Sequence, residues 1–551
     1  MAAPRVTVVG GGLAGLTAAL RLAEKGCKVR LYESKGMLGG NLASQPLQVG
    51  GEIDVYPHMY QAWYANFWKL MDDVGVDREE SFKSYDCVWQ LRRRGETPRW
   101  SKLTKAYSPR YVFQNMFSQV GPAPDMFIFG FACLDLLAER TFPTMRLENL
   151  SLTGYLDSRP YMTEAAIAAF ETFLTRIWAL PAKVAAAKDC QTYLRYCIPV
   201  GERDQWLTRE SAERTVIHPL ARALAREGVE LVTGTKLAQV EVVNGRVTSI
   251  GLQRTRFDPQ RYEWLATGRI RNEEVDQLLL AVPAEVLSRI VRDGEPGRRV
   301  VDFEESLHEL VQLSAQRVPI LHLHFKEQLS DIPSQPVGLF GSPLNLAFTD
   351  LSQSWKEFEG HTMLALSCSE PAGLFGSSPA DDGFLMMRDL AHYVAYEPGE
   401  QWGESEQIDW DRTRYHGNND VRLSLNTVGA ENARPGHSPE KIRNLYLAGD
   451  FCHHHLGMTT IEAAVSSGIA AAARLVEDAG LAEIEVLRPE VWPDEIYTPI
   501  RAGYPAAIAA RLLSEGIPFP RRDPDRDAEH ESLLGYLLTP GLPARNRRRR
   551  D

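Results

Sequence analysis

The residues best suited to chemistry in this chain are glycines and acids spaced so that a phosphorylated ligand can meet bare backbone. Gly10-Gly11-Gly12-Leu13-Ala14-Gly15 comes first. In that spacing Gly10 permits a tight turn, Gly12 lets a pyrophosphate approach the main chain, and Gly15 lets a helix pack close to a sheet. A helix opening at Leu13 and Ala14 carries roughly half a positive charge and several unpaired N–H groups at its start, so a diphosphate binds there without a cationic side chain. Glu33 follows in the acid position. Its carboxylate can accept both hydroxyls of an adenosine ribose and would repel a 2′-phosphate. NADP is therefore disfavoured, and FAD and NAD remain.

These groups need a strand, a turn, a helix and a second strand to hold them. Residues 5–9 alternate and include three valines. Leu13, Leu16, Ala19, Leu20 and Ala23 then recur at helical spacing, Gly26 is a plausible stop, and residues 28–32 form a strand ending at Glu33. A glycine turn alone is a weak signal; flanking strands and an acid in register make it specific. Gly39-Gly40-Asn41 suggests a backbone that passes close to something flat or phosphorylated. Residues 215–227 read as a helix closed by Gly228, and residues 236–250 as a hairpin turning at Asn244-Gly245. Residues 275–283 form an apolar strand ending in proline. A further strand runs into Gly449-Asp450, and Thr459-Thr460-Ile461-Glu462 opens an alanine-rich helix. Thr459 and Glu462 have capping-box spacing, which leaves the N–H groups near Thr460 and Ile461 available to a ligand.

The remaining stretches carry less chemistry. Residues 62–150 read as aromatic-rich helices, and residues 125–139 are apolar nearly all round, which favours a buried core helix over a tunnel wall or a lipid contact. Residues 320–325 alternate like a half-exposed strand with His322 and His324 on one face, read as structural for want of further metal ligands. His453, His454 and His455 are consecutive and cannot all turn to one ion, so no metal site is expected. Beyond Gly480 the chain is proline-rich, with a short amphipathic helix at 506–514 and an arginine tail at 547–550.

At 551 residues the chain exceeds one ordinary core and should form two domains or more. A net charge of −11 excludes nucleic acid as a general partner, because phosphate backbones need a basic face. Seven scattered cysteines without a C-x-x-C pair fit reduced thiols and a cytoplasmic setting. The first strand begins at once, leaving no room for a signal peptide, and no apolar run is long enough to span a bilayer. The arginine tail leaves room for a peripheral contact with anionic lipid.

The acid followed by a glycine pair at residues 33–41, and above all the stretch at 445–473, resemble the FAD-dependent amine oxidase and carotenoid desaturase superfamily. The resemblance implies an α/β fold, with a Rossmann-type FAD-binding domain interrupted by insertions that form a second α+β substrate domain. The first would comprise residues 1–80, 205–300 and 430–482, the second residues 81–204 and 301–429, with 483–551 as an extension. It implies non-covalent FAD, with the backbone of Val240 against the adenine and Asp450 at a ribityl hydroxyl or the diphosphate. The helix end at Thr460 and Ile461 would face the flavin N1 and C2 carbonyl, where negative charge gathers on reduction. Residues 50–60 resemble the strand entering the flavin pocket, which places His58 at the ring; His58 and Cys452 keep a covalent link open. Two departures stand out. Met37 and Asn41 occupy places where many members carry arginines, so arginine contacts to the diphosphate are expected to be absent. Tyr56-Pro57 replaces the glycine that commonly lies two before the histidine.

The chemistry so implied is removal of hydride from a substrate carbon to flavin N5, with a proton lost from the neighbouring atom. The leading expectation is a desaturase or dehydrogenase for an apolar, isoprenoid-like substrate, with quinone or oxygen as electron acceptor and no identifiable catalytic base. An amine oxidase is the alternative enzyme, and a redox-inactive partner protein that merely retains FAD is a third reading.

Overall fold

The computed structural model describes residues 3–516, apart from 48–50, 86, 97–98, 105–113, 139–146, 171–180, 201–204, 259–262, 331, 334 and 420–421. The arginine tail at 547–550 lies outside the described residues.

Valine- and leucine-rich segments too apolar for a solvated face build a five-stranded parallel sheet in the order Glu230–Val232, Lys28–Tyr32, Arg5–Val9, Gln277–Leu280, Leu445–Leu447. Val8 lies between Leu31 and Leu279, and all three are fully buried. The helices Leu13–Glu24 and Ile461–Asp478 pack on each other in one core. Their crossing depends on Gly468, where a Cβ would stand 2.3 Å from the Ala14 carbonyl oxygen. Gly15 is needed for the same kind of reason: its Cβ would meet the Gly10 carbonyl oxygen at 1.9 Å. This is the expected α/β fold.

The hairpin of Thr235–Val243 and Arg246–Asp258 turns at Asn244 (φ 52°) and Gly245 (φ 66°), both in the left-handed region that a two-residue turn requires. A third antiparallel strand, Glu263–Glu274, extends it beyond what the sequence suggested.

A second, seven-stranded sheet runs Arg414–His416, Ile320–Phe325, Thr362–Cys368, Leu346–Asp350, Val337–Leu339, Cys87–Leu91, Trp100–Thr104. Its last two strands correct the all-helical reading of residues 62–150. Ile320–Phe325 is buried at all six positions, not half-exposed. Leu321 and Leu323 enter a core with Met386 and Leu390, and the histidine face is covered as well. His324 meets the Phe358 ring at 5.2 Å, and His322 meets His416 at the same distance.

The apolar helix Ala123–Leu137 is a core helix. Its buried Asp135 accepts from the Tyr161 hydroxyl at 2.7 Å and pairs with Arg159 at 3.5 Å. Helix Tyr504–Gly516 covers it, with Ser514 donating to Asp125 at 2.8 Å. Among the described residues no helix is long and apolar enough to cross a membrane.

Candidate functional site: a cavity between the two sheets

A cavity of about 820 Å³ opens at the carboxyl ends of the parallel strands, bounded on its far side by the seven-stranded sheet. Carboxyl ends are where open parallel sheets bind ligands, because loops and helix starts converge there.

Its floor is bare backbone. Gly10 adopts φ 114°, and a Cβ there would sit 2.1 Å from the Ala281 carbonyl oxygen. Gly39 donates its N–H to the Gly11 carbonyl at 2.8 Å, and a Cβ on Gly40 would lie 3.0 Å from the Gly12 Cα. The glycine pair is thus laid directly on the first turn. Glu33 is fixed by its own chain: Oε2 accepts from Gly11 N–H at 2.6 Å, and Oε1 from Lys35 N–H at 2.8 Å and Ser34 Oγ at 2.9 Å. A carboxylate so oriented still has lone pairs for hydroxyls.

The other end is built by the late signature. Thr460, not Thr459, caps the closing helix, its hydroxyl accepting from Ala463 N–H at 3.0 Å. Thr459 is turned the other way, donating its N–H to Asn426 Oδ1 at 2.7 Å and its hydroxyl to the Ser424 carbonyl at 3.0 Å. Nor does Glu462 close a capping box. It accepts from the N–H groups of Asn66 and Phe67, both at 2.8 Å, so it serves the start of the neighbouring helix Ala65–Asp73. Burial pushes Glu462 up to about 7. Asp450 is walled in beside Gly449, accepts from Ser424 Oγ at 3.3 Å, and is pushed by burial up to about 6.

Gly10, Gly12, Leu13, Ala14, Glu33, Gly39, Gly40, Asn41, His58, Gly449, Asp450, Thr459, Thr460 and Ile461 all line this one cavity. Gly15 and Val240 do not. Val240 is buried in the core beside Leu278 and Leu280, while Lys236 and Leu237 stand in the wall. A register shift between Leu237 and Gln239 puts Leu237 and Val240, three residues apart, on the same buried side of that strand, which alternation alone could not reveal. His58 lines the cavity with Nδ1 against the Tyr56 carbonyl at 2.8 Å, and burial pushes it down to about 4, so it is neutral near pH 7. Cys452 is buried outside the wall.

Arginines do reach the cavity, from parts of the chain far from the glycine pair. Arg289, from helix Ala284–Ile290, and Arg422 both line it, as do Lys35 and Lys236. Asn41 donates through Nδ2 to the Arg422 carbonyl at 3.2 Å, so the residue in one arginine place anchors a distant arginine. No local motif announces Arg289 or Arg422. Lys35, two residues after Glu33, could have been found. The wall formed by the seven-stranded sheet includes Ile320, Val337, Ala347, Phe348, Thr349, Ala365 and Ser367, with no carboxylate or ammonium among its described residues.

A bare floor, two helix starts, a ribose acceptor and four cations suit a dinucleotide with its diphosphate. The family model described as flavin containing amine oxidoreductase matches residues 13–476. A carotenoid phi-ring synthase of Streptomyces griseus is 28% identical over 313 residues, covering 52% of this chain and 54% of that protein. The chain thus spans about half the length of that relative. The 15-cis-phytoene desaturase of Synechococcus elongatus is 22% identical over 483 residues, covering 84% of this chain and 94% of that protein. Among solved structures, a putrescine oxidase bound to putrescine aligns with a TM-score of 0.59 at 16% identity, over 86% of this chain and 99% of that one, a likeness of fold. Membership implies FAD as the cofactor. The chain belongs to the flavin containing amine oxidoreductase family and is an FAD-dependent oxidoreductase.

Proposed function

We propose that the protein removes hydride from a C–H bond of an apolar, isoprenoid-like substrate. The observation that carries this reading is the far wall of the cavity, which offers aliphatic, aromatic and hydroxyl groups and no fixed charge among its described residues. When bound, FAD supplies the hydride acceptor. The chain's own residues orient both partners: Glu33 and the helix starts hold the nucleotide portion, and Ile320, Val337 and Phe348 present a dry surface to the substrate. The carotenoid-related names of two relatives support the same class. Quinone or oxygen is the proposed electron acceptor.

Amine oxidation is the second reading, favoured by the family's name and by the likeness to putrescine oxidase. Against it, a protonated amine on that wall would be desolvated without a counter-charge. Anaerobic mixing of FAD-loaded protein with phytoene or ζ-carotene, and separately with an amine panel, decides between them. Bleaching of the yellow flavin band by the polyene precursors alone supports the proposal; bleaching by amines alone overturns it. We also propose a peripheral lipid contact at Trp492, Leu512 and Leu513, which are 41%, 64% and 53% exposed. Flotation with anionic vesicles should capture the protein, and loss of Leu512 and Leu513 to serine should release it.

A further inference from the structure

One buried cation is not explained by anything above. Arg434 follows the short helix Ala430–Ala433 and is only 7% exposed. Its guanidinium hydrogen-bonds neutral oxygens: Nη1 donates to the Asp450 carbonyl and Nη2 to Asn426 Oδ1, both at 3.4 Å. Nε is buried without a partner. Among the described residues no carboxylate lies within ion-pair distance of it. A guanidinium cannot shed its proton at ordinary pH, so the positive charge is permanent and uncompensated at contact.

Such a charge acts on its surroundings, because a buried setting screens it weakly. Its effect is visible in the acids nearby. Burial raises both Asp450 and Asp189, and in both the Arg434 charge opposes that rise. The groups between Arg434 and the cavity are themselves wall residues: Asp450, Asn426 and Thr459. Asn426 grips Thr459 at both ends of its amide, accepting from Thr459 N–H at 2.7 Å and donating to the Thr459 carbonyl at 3.4 Å. Arg434 therefore stands one layer behind the cavity end at which the closing helix begins, and braces both of its sides.

We propose that Arg434 is a positioning residue that raises the reduction potential of the bound cofactor, its fixed charge favouring the negative charge that gathers at this end of the cavity on reduction. The helix start at Thr460 acts in the same direction, and the two fields add. A more positive potential makes the holoprotein a stronger oxidant of a C–H bond. This rests on FAD occupying the cavity with its ring toward Thr460.

The test is redox titration of full-length, FAD-loaded wild type, R434M, R434Q and R434K. Methionine removes the charge and keeps much of the volume. R434M should lower the midpoint potential by about 30 mV or more, a tenfold weaker preference for the reduced state in a two-electron couple. R434K keeps the charge and should stay within about 10 mV of wild type, a twofold change. A merely structural Arg434 predicts loss of bound FAD with an unchanged potential in what remains, and that result overturns the proposal. Should R434M not fold, R434Q removes the same charge and is read the same way, and a fall of about 30 mV in R434K, which keeps it, contradicts a charge effect. Wild-type protein that takes up no FAD would instead sink the cofactor reading itself.

Discussion

Replacing Gly468 by alanine tests whether the spacing of two helices sets cofactor affinity. The new Cβ would lie 2.3 Å from the Ala14 carbonyl oxygen and 3.2 Å from the Thr17 Cβ. Restoring ordinary contact requires the helices Leu13–Glu24 and Ile461–Asp478 to part by about 1 Å. The closing helix cannot slide freely, because Glu462 is tied to the N–H groups of Asn66 and Phe67. Overpacking of this kind costs about 1–3 kcal/mol. In the apoprotein the strain relaxes by separation, but both helix starts line the cavity, so binding must impose the close spacing again. The cost then falls on binding, and at about 1.4 kcal/mol per tenfold the FAD dissociation constant should rise roughly five- to hundredfold. Titration of apoprotein with FAD, followed by flavin fluorescence, measures it. G480A is the control. Gly480 has φ 68° with nothing within 4 Å, so alanine there adds about 1–2 kcal/mol of backbone strain without touching the crossing. It should lower thermal stability and leave FAD affinity unchanged. A G468A protein that binds FAD within about twofold of wild type would refute the reasoning.

Three further outcomes are expected. E33Q removes the charge from the acceptor that meets Gly11 N–H at 2.6 Å, and loss of about 1.5–3 kcal/mol should weaken FAD binding some ten- to hundredfold by the same titration. Glu462 is raised by burial from 4.5 to about 7, so the folded chain holds a proton that the unfolded chain has released between those values. Its contribution is whole below about 4.5 and lost as pH rises through about 7. Wild type should therefore lose stability relative to E462Q across that window, and a gap that stays flat with pH speaks against it. His322 is held well below its ordinary 6.5 by burial, so only the unfolded chain takes up its proton in mild acid, and stability falls as pH drops below about 6.5. H322F should soften that fall; because both ring nitrogens of His322 lack partners, it should also gain about 1–3 kcal/mol at neutral pH in denaturant melts.

What was legible in the chain is what local chemistry dictates. The turn at Gly10–Gly15, the acid at Glu33 and the Asn244-Gly245 hairpin each need particular residues at particular offsets, and the strand at Gln277–Leu280 is apolar because it is covered on both faces. Residues whose placement depends on distant partners were not legible. Arg422 reaches the cavity through a bond to Asn41, which is 381 residues away in sequence. Val240 lies in the core and outside the cavity wall, and a shift in strand register puts it on the same side as Leu237. Glu462 has the right spacing to cap its own helix, yet the start of another helix comes close enough to claim it. His322 and His324 alternate with leucines as a half-exposed strand would, and only the packing of Phe358 and His416 shows that the second face is dry.

The order of the core strands also governs when the cofactor can load. The strand Leu445–Leu447 and the helix Ile461–Asp478 are the last pieces of the nucleotide site, and both lie past residue 440. At about 5–20 residues per second, a ribosome needs roughly 22–89 s to pass from residue 33 to residue 478. For all of that time a nascent chain carries the glycine turn and the ribose acid without the helix that faces them. Capture of FAD is therefore a late event in biosynthesis, and a chain stalled before residue 440 should emerge colourless.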